Sequence, residues 1–162
     1  MPSPEQLKSA FWKAVKADMT MMVGLEGKEH GHMRPLTAQL LDDAEQGPIW
    51  FFTSNESELV NKLAGSDRAV ATFASKRHDL FASINGTLQM FNDRDIIDQL
   101  WNPYVAAWYE GKDDPKLALL RFDAEQAEIW ENASSLVAGL KILLGVDPKK
   151  DYRDKVAEVS LK

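Results

Sequence analysis

The chain has 162 residues, of which 44% are hydrophobic and none is cysteine. This size fits one globular domain with a substantial core, and the lack of cysteine excludes disulfides, thiolate metal ligands and cysteine nucleophiles. The formal net charge of −6 argues against a nucleic-acid partner, because proteins that bind nucleic acid carry clustered lysine and arginine.

The N-terminal part predicts a helix followed by a pair of antiparallel strands. A capping box with proline at the first helical position starts a helix over residues 3–16. Residues 19–25 and 33–41 are both strand-like in composition. The polar stretch 26–31 between them contains two glycines, which favours a hairpin connection.

Residues 49–63 place an apolar strand, two hydroxyl side chains and a helix start directly after one another. The strand is predicted at 49–52, Thr53 and Ser54 end it, and Ser54 or Asn55 supplies the N-cap of the helix. Free backbone N–H groups and the positive end of the helix dipole favour a phosphate or carboxylate at such a position. An ordinary capped turn between strand and helix is the alternative interpretation.

The C-terminal half predicts further strands with a helical excursion between them. The strands are expected at residues 68–75, 79–91 and 117–130. Gly86 inside the second of these indicates a bulge or a close backbone approach. Short helices at 93–101 and 104–109 form the excursion before the last strand.

The region after residue 130 predicts one more helix and a charged tail. Ser134 or Ser135 caps the helix, and Gly145 ends it. The last segment of the tail, 155–161, is expected either to form a weak edge strand or to fray. We therefore assign residues 1–145 to a single domain and residues 146–162 to the tail.

The strand order excludes one common architecture. Six or seven strands succeed one another without alternating helices, which argues against a doubly wound parallel sheet and for an antiparallel barrel or an α+β sandwich. No stretch reaches 18 apolar residues and no basic segment precedes an apolar run, so we expect a cytoplasmic protein without a membrane partner.

Sequence motifs for several common chemistries are missing. His30 and His32 lack a third ligand in register, which makes a poor metal site, and the nucleophile-elbow, dinucleotide and P-loop motifs are not found. Arg34 can bind a phosphate or a planar carbonyl ligand with two hydrogen bonds, although it could equally be a surface arginine. Aromatic residues such as Trp50 and Trp108 fit a core, a dimer interface or a flat cofactor ring.

Four segments in this order resemble one known family: 32–36 (His-Met-Arg-Pro-Leu), 49–54 (Ile-Trp-Phe-Phe-Thr-Ser), Gly86 and 101–109 (Trp-Asn-Pro to Trp-Tyr). The chain resembles the general stress protein 26 branch of the pyridoxamine 5′-phosphate oxidase-like, FMN-binding split-barrel proteins. The resemblance extends to about residue 145. It implies a mainly β, six-stranded antiparallel split barrel that forms a homodimer, with FMN in clefts at the subunit interface and FAD as the alternative flavin.

The resemblance also implies a set of flavin contacts: Met33, Arg34, Pro35, Leu36, Trp50, Phe51, Phe52, Thr53, Ser54, Ser57, Lys62, Trp101 and Trp108. The first four would lie along the ring and its phosphate arm, and the residues of the following strand would pack against the ring and ribityl chain. Thr53 and Ser57 would donate to the phosphate, and the last two tryptophans would come from the other subunit. Leu59 stands where the family commonly has a lysine, so Lys62 or Arg34 would supply the positive charge.

The resemblance implies flavin chemistry of unknown substrate. The C-terminal arginine and histidine motif of pyridoxamine phosphate oxidases has no match after Trp130, so we expect a different activity. A flavin-dependent oxidoreductase with a small-molecule electron donor or acceptor is one reading. A flavin carrier or sensor without turnover and a dimeric interaction protein with a degenerate flavin site are the alternatives.

Overall fold

The structure is a computed structural model that describes residues 2–41, 46–131 and 156–162. In chain order the elements are α1 (Pro4–Asp18), β1 (Thr20–Leu25), a 3₁₀ turn (Glu29–Gly31), β2 (Arg34–Gln39), β3 (Ile49–Ser54), α2 (Glu58–Lys62), β4 (Ser66–Ala74), β5 (Leu80–Met90), α3 (Arg94–Leu100), α4 (Pro103–Ala106), β6 (Leu117–Glu131) and β7 (Val156–Ser160). The helix predicted after Ser134 or Ser135 lies outside the described residues. Within them, no helix is long and apolar enough to cross a bilayer.

The first six strands close into an antiparallel barrel. Their order is β3-β2-β1-β4-β5-β6, and β6 pairs with β3 to close the sheet. β3 occupies the first half of one β6 edge, as far as Ile49 opposite Phe122. β7 occupies the second half of that edge, starting with Ser160 opposite Gln126. The predicted six-stranded antiparallel barrel is confirmed, and the segment 155–161 contains an edge strand.

A β-bulge on β6 lies between the part of this strand that pairs with β3 and the part that pairs with β7. Asn85 on β5 pairs with Gln126 and Gly86 pairs with Ala124, which leaves Glu125 as the extra residue. A Cβ atom added to Gly86 would lie 2.2 Å from the carbonyl oxygen of a neighbouring β6 residue. The prediction of a bulge or a close backbone approach at Gly86 is therefore confirmed, since both occur there.

Alternating side chains of the strands fill the barrel. Phe51, Ile84 and Phe122 are fully buried inside it, because side chains alternate between the two faces of a strand. Helix α1 packs against this core through an apolar stripe that includes Phe11. The predicted capping box starts the helix, and the Ser3 hydroxyl oxygen accepts from the backbone N–H of Gln6, the third helical residue.

The prediction for the end of β3 is wrong. Thr53 and Ser54 remain in the strand because both pair with the start of β6, an interaction between residues far apart in the chain. The N-cap of α2 is Ser57, whose hydroxyl oxygen accepts from the backbone N–H of Val60 at 3.3 Å. The N-cap therefore lies three residues beyond Ser54, and the helix, Glu58–Lys62, is only five residues long.

Candidate functional site

A cleft with a volume of about 430 Å³ lies where β2 and β3 face the segment that contains α4. Its lining residues are Pro35, Leu36, Thr37, Gln39, Phe52, Thr53, Ser54, Tyr104, Val105, Trp108 and Tyr109. Small-molecule sites typically enclose about 300–1,000 Å³ and combine apolar walls with a few polar groups. Both the size and the composition of this cleft fit such a site.

Strand β2 contributes Pro35, Leu36, Thr37 and Gln39 to the cleft. Pro35, Thr37 and Gln39 lie on one face of the strand, because side chains alternate. Ala38 on the opposite face is buried in the barrel core. Leu36, which has the same parity as Ala38, also reaches the cleft, whereas Arg34 is not among the lining residues.

Arg34 is held by an acidic residue from the preceding turn. Its Nη2 atom lies 2.5 Å from Oε1 of Glu29, and the two side chains are 26% and 7% exposed. Glu29 and His30 both have positive φ values, 53° and 56°, in the 3₁₀ turn of the connection between β1 and β2, which pair as the predicted antiparallel hairpin. The predicted contact between Arg34 and a phosphate stays a prediction.

Trp50 and Phe51 lie behind the cleft, on opposite faces of β3. Phe51 belongs to the barrel core, and Trp50 belongs to a second apolar cluster beneath α3. The Trp50 ring packs edge-to-face against Phe91 at 5.7 Å, and the guanidinium carbon of Arg121 lies 5.8 Å from the Trp50 ring. These two predicted residues therefore support the strand without lining the cleft.

An aromatic cluster fixes the excursion between β5 and β6 to β3. Phe52 lies 6.3 Å from Trp101 and 6.5 Å from Tyr109, measured between ring centroids. The hydroxyl of Tyr109 donates to the carbonyl oxygen of Thr53 at 2.9 Å. Burial raises the pKa of Tyr109, which keeps the hydroxyl protonated and able to donate. Trp101 lies behind the cleft in this cluster.

The turn after Tyr109 is held by backbone hydrogen bonds to one carboxylate. Asp114 accepts from the backbone N–H groups of Glu110 and Lys116, both at 2.9 Å. The bond from Glu110, followed by that from Lys116, lowers the pKa of Asp114. The excursion thus has a defined conformation on both sides of its aromatic residues.

Helix α4 carries the outer wall of the cleft. Asn102 caps it, and the Oδ1 atom of Asn102 accepts from the backbone N–H groups of Tyr104 and Val105 at 3.0 Å. Val105 is buried, whereas Tyr104 and Trp108 are 81% and 83% exposed. Two large aromatic side chains therefore stand in solvent beside the cleft.

The remaining predicted contacts are not among the lining residues of the cleft. Ser57 uses its hydroxyl as the N-cap of α2, and Lys62 is exposed, with its carbonyl oxygen accepting from Nζ of Lys28 at 2.8 Å. Met33 packs over Gly24, where an added Cβ atom would meet the Met33 side chain at 2.9 Å. Phosphate contacts by Ser57 and Lys62 stay predictions.

Part of the predicted set is brought together in the cleft: Pro35, Leu36, Phe52, Thr53, Ser54 and Trp108. The sequence predictions did not assign the other lining residues: Thr37, Gln39, Tyr104, Val105 and Tyr109. Alternation from Pro35 along β2 could have identified Thr37 and Gln39. The contribution of Tyr109 depends on how the excursion folds back onto β3, which no local pattern gives.

The cleft carries no formal charge among its described lining residues. In the described ranges, no group of three or more His, Cys, Asp or Glu side chains could hold a metal ion. The chemical groups available in the cleft are therefore aromatic rings, hydroxyls, one side-chain amide and backbone atoms. Such groups can bind and orient a flat, partly polar molecule.

Comparison with known proteins identifies relatives along nearly the whole chain. The sequence model of the family described as "Pyridoxamine 5′-phosphate oxidase like" matches residues 6–152. The crystal structure of the general stress FMN/FAD binding protein from Xanthomonas citri is 55% identical, with 81% of this chain and 92% of that chain covered and a TM-score of 0.76. A structure assigned as general stress protein 26 from Jannaschia sp. CCS1 is 26% identical, with 99% of both chains covered and a TM-score of 0.80.

Curated relatives match over shorter segments. General stress protein 26 of Bacillus subtilis (strain 168) is 23% identical over 64 residues, which cover 40% of this chain and 46% of that protein. The matched segments span 39% and 46% of the curated relatives' own lengths.

Proposed function

The chain belongs to the pyridoxamine 5′-phosphate oxidase-like family, and from this premise we propose that its cleft binds a flavin, with FMN as the first choice and FAD as the alternative. The observation that carries the proposal is the aromatic cleft with its hydroxyl and amide groups. A flavin ring has apolar faces and a polar edge, so it suits walls of this kind. The relative from Xanthomonas citri, described as an FMN/FAD binding protein, supports the same ligand class.

The residues that would hold the flavin come from three parts of the chain. Phe52 and Trp108 would pack against the ring, while the side chains of Thr37 and Gln39 would bond to its polar edge. Thr53, together with Ser54, would contact the ribityl chain. A bound flavin supplies hydride or electron transfer. The protein's own residues bind the ring, orient it and exclude water from one face.

In the first candidate function, the bound flavin reacts with a small-molecule electron donor or acceptor. The second candidate is a flavin carrier or sensor without turnover, which needs only the binding groups of the cleft, namely its aromatic rings, hydroxyls and side-chain amide. The rate at which NADH or NADPH reduces the bound flavin distinguishes them. Cytoplasmic localisation stays a prediction.

Trp108→Ala is expected to weaken flavin binding by roughly tenfold or more, which corresponds to about 1.4 kcal/mol. The side chain is 83% exposed in the free chain, so its removal should leave the fold intact. Binding is measured by quenching of flavin and tryptophan fluorescence during titration with riboflavin and FMN. Met90→Ala, which trims another exposed apolar side chain outside the cleft lining, is the matched control and should bind as the wild type does.

Two results would contradict the flavin proposal. One is a wild-type protein whose fluorescence is unchanged by micromolar riboflavin and FMN. The other is equal binding by Trp108→Ala and the wild type, which would move the ring out of this cleft.

A row of four uncharged side chains next to the cleft, which ends beside Glu128 on β6, supports the proposal of a homodimer. Pro35, Met22, Thr72 and Ser83 are opposed in turn across β2, β1, β4 and β5. Even numbering on β1 and β4 and odd numbering on β5 place these side chains on the outer face, because their neighbours fill the core. Met22 and Pro35 are exposed apolar residues of this row, whereas the solvated face of an antiparallel sheet is usually polar, so a second copy of the chain is the proposed cover.

Thr72→Lys is expected to shift the protein from dimer to monomer. The substitution puts a charge in the middle of the uncharged row, where a partner would have to bury it without a counter-ion. Ala17→Lys on an exposed position of α1 adds the same charge elsewhere and should leave the dimer unchanged. Sedimentation equilibrium measures the mass of each variant. A wild-type monomer, or a dimeric Thr72→Lys variant, would refute this interface.

A further inference from the structure

A second cavity, with a volume of about 450 Å³, lies beside the bulge of β6, between the start of β3 and the end of β7. None of its described lining residues also lines the flavin cleft. Its lining includes the charged side chains of Arg121, Asp123, Glu125 and Lys162. Sites for small molecules typically enclose about 300–1,000 Å³, so this cavity has room for a small organic molecule.

The backbone of β6 faces this cavity in a gap between two strand partners. Pairing with β3 ends at Phe122, and pairing with β7 begins at Gln126. Leu119 directs its N–H and C=O groups toward the β5 edge, so alternation directs those of Ala124 toward the opposite edge. Ala124 lines the cavity, and no described residue of β3 or β7 lies opposite it. A ligand can therefore pair with one backbone donor and one backbone acceptor.

Arg121 brings a fixed guanidinium group to the cavity. Its Nε atom lies 3.1 and 3.0 Å from the two carboxylate oxygens of Asp123, and its guanidinium carbon lies 5.8 and 5.5 Å from the rings of Trp50 and Phe91. The Nη1 and Nη2 atoms form no hydrogen bond with a described residue. This pair of donors matches the two oxygens of a carboxylate. Because the side chain is already ordered, binding through it loses little conformational entropy.

Both carboxylates of the cavity are already bound by arginines. Arg121 contacts Asp123, and the Oε2 atom of Glu125 lies 2.6 Å from Nη1 of Arg68. The hydrogen bond from Arg68 lowers the pKa of Glu125, so this carboxyl group is ionised and paired at neutral pH. Lys162 also lines the cavity and adds a further positive charge. These five side chains comprise three cations and two carboxylates, which favours an anionic ligand.

We propose that this cavity binds a small organic carboxylate that also carries an amide group. The carboxylate accepts from Nη1 and Nη2 of Arg121, and the amide pairs with the backbone N–H and C=O groups of Ala124. Lys162 attracts the same carboxylate from the rim of the cavity. The inference does not rest on the proposed flavin function, because the two sites share no described lining residue. Failure of either proposal therefore leaves the other intact.

The probe is N-acetylglycylglycine, which combines a carboxylate with amide groups, and its matched control is N-acetylglycylglycinamide, which lacks the charge. Binding to the full chain is followed by two-dimensional proton–nitrogen NMR at constant ionic strength, so that charge screening is equal in all samples. The Arg121 Nε–H and Ala124 backbone N–H signals report on the site. The variants are Arg121→Gln, Arg121→Lys and Lys162→Gln. Arg77→Gln is the control variant, since it removes an exposed arginine that does not line the cavity.

The carboxylate probe should shift both signals of the wild type to a saturating value, and the amide probe should bind roughly tenfold more weakly or not at all. Arg121→Gln should weaken the carboxylate probe by roughly tenfold or more. Arg121→Lys should give an intermediate loss, because an ammonium group lacks the planar pair of donors. Lys162→Gln should cost about threefold, since solvent screens its exposed charge, and Arg77→Gln should bind as the wild type does.

The carboxylate site is overturned by any of three outcomes: no saturable shift in the wild type, equal binding of the carboxylate and amide probes, or equal binding by Arg121→Gln and the wild type. Urea unfolding shows whether Arg121→Gln keeps the fold without its contacts to the aromatic rings. If that variant does not fold, the two probes on the wild type and the Arg121→Lys variant decide the question, because unchanged affinity in either comparison overturns the site.

Discussion

Gly86→Ala is expected to lower the free energy of unfolding by about 3 kcal/mol, the upper part of the range for overpacked interiors. The added Cβ atom would lie 2.2 Å from the carbonyl oxygen of Asp123 and 3.0 Å from the Cζ atom of Phe122. The carbonyl group belongs to the β5–β6 ladder, so it can move only if that ladder opens beside the bulge. Urea unfolding followed by tryptophan fluorescence measures the effect.

Gly111→Ala is the matched control for this substitution. A Cβ atom at Gly111 would meet nothing within 4 Å, and the residue does not have a positive φ. Its replacement should leave the stability unchanged or raise it by about 0.4–1 kcal/mol, because alanine reduces the entropy of the unfolded chain. Equal effects at the two positions would show that the close approach at Gly86 is unimportant for the fold.

Local patterns predicted most strands of this fold and the bulge at Gly86. Each of these features follows from a pattern within a short stretch of sequence: alternating apolar residues, a capping box, or a glycine inside a strand. The end of β3 was predicted incorrectly because Thr53 and Ser54 look like a strand terminus in isolation. Their pairing with the start of β6 joins segments more than 60 positions apart, which a local pattern does not contain.

The candidate site was predicted in part for the same reason. The family resemblance identified the strands that line the cleft, but it did not identify all of their residues that reach it. Phe51 points into the barrel while Phe52 lines the cleft, although the two are adjacent and chemically identical. The pair formed by Glu29 and Arg34 was not anticipated, because a turn with two positive φ values is needed to bring these side chains together.

Tyr109 contributes both to the proposed flavin cleft and to the long-range packing that holds the cleft wall on β3. It lines the cleft, its ring contacts Phe52 and Trp101, and its hydroxyl binds the carbonyl oxygen of Thr53. The ring and the hydroxyl can be removed separately. The two substitutions therefore distinguish the role of packing from the role of the hydrogen bond in holding the cleft wall.

Tyr109→Ala is expected to lower the free energy of unfolding by about 3 kcal/mol, the lower part of the range for removing a large aromatic side chain, because Tyr109 is only half-buried. It should also weaken riboflavin binding by roughly tenfold or more, since α4 and Trp108 lose their anchor on β3. Tyr109→Phe keeps the ring and should cost about 1 kcal/mol, the net contribution of one hydrogen bond, with a smaller loss of affinity. Urea unfolding and riboflavin titration of both variants measure these effects.

If Tyr109→Phe proves as damaging as Tyr109→Ala in both measurements, the hydrogen bond to Thr53 holds the wall and the aromatic cluster contributes little. If Tyr109→Ala unfolds more easily but binds riboflavin as the wild type does, the flavin ring lies outside this cleft.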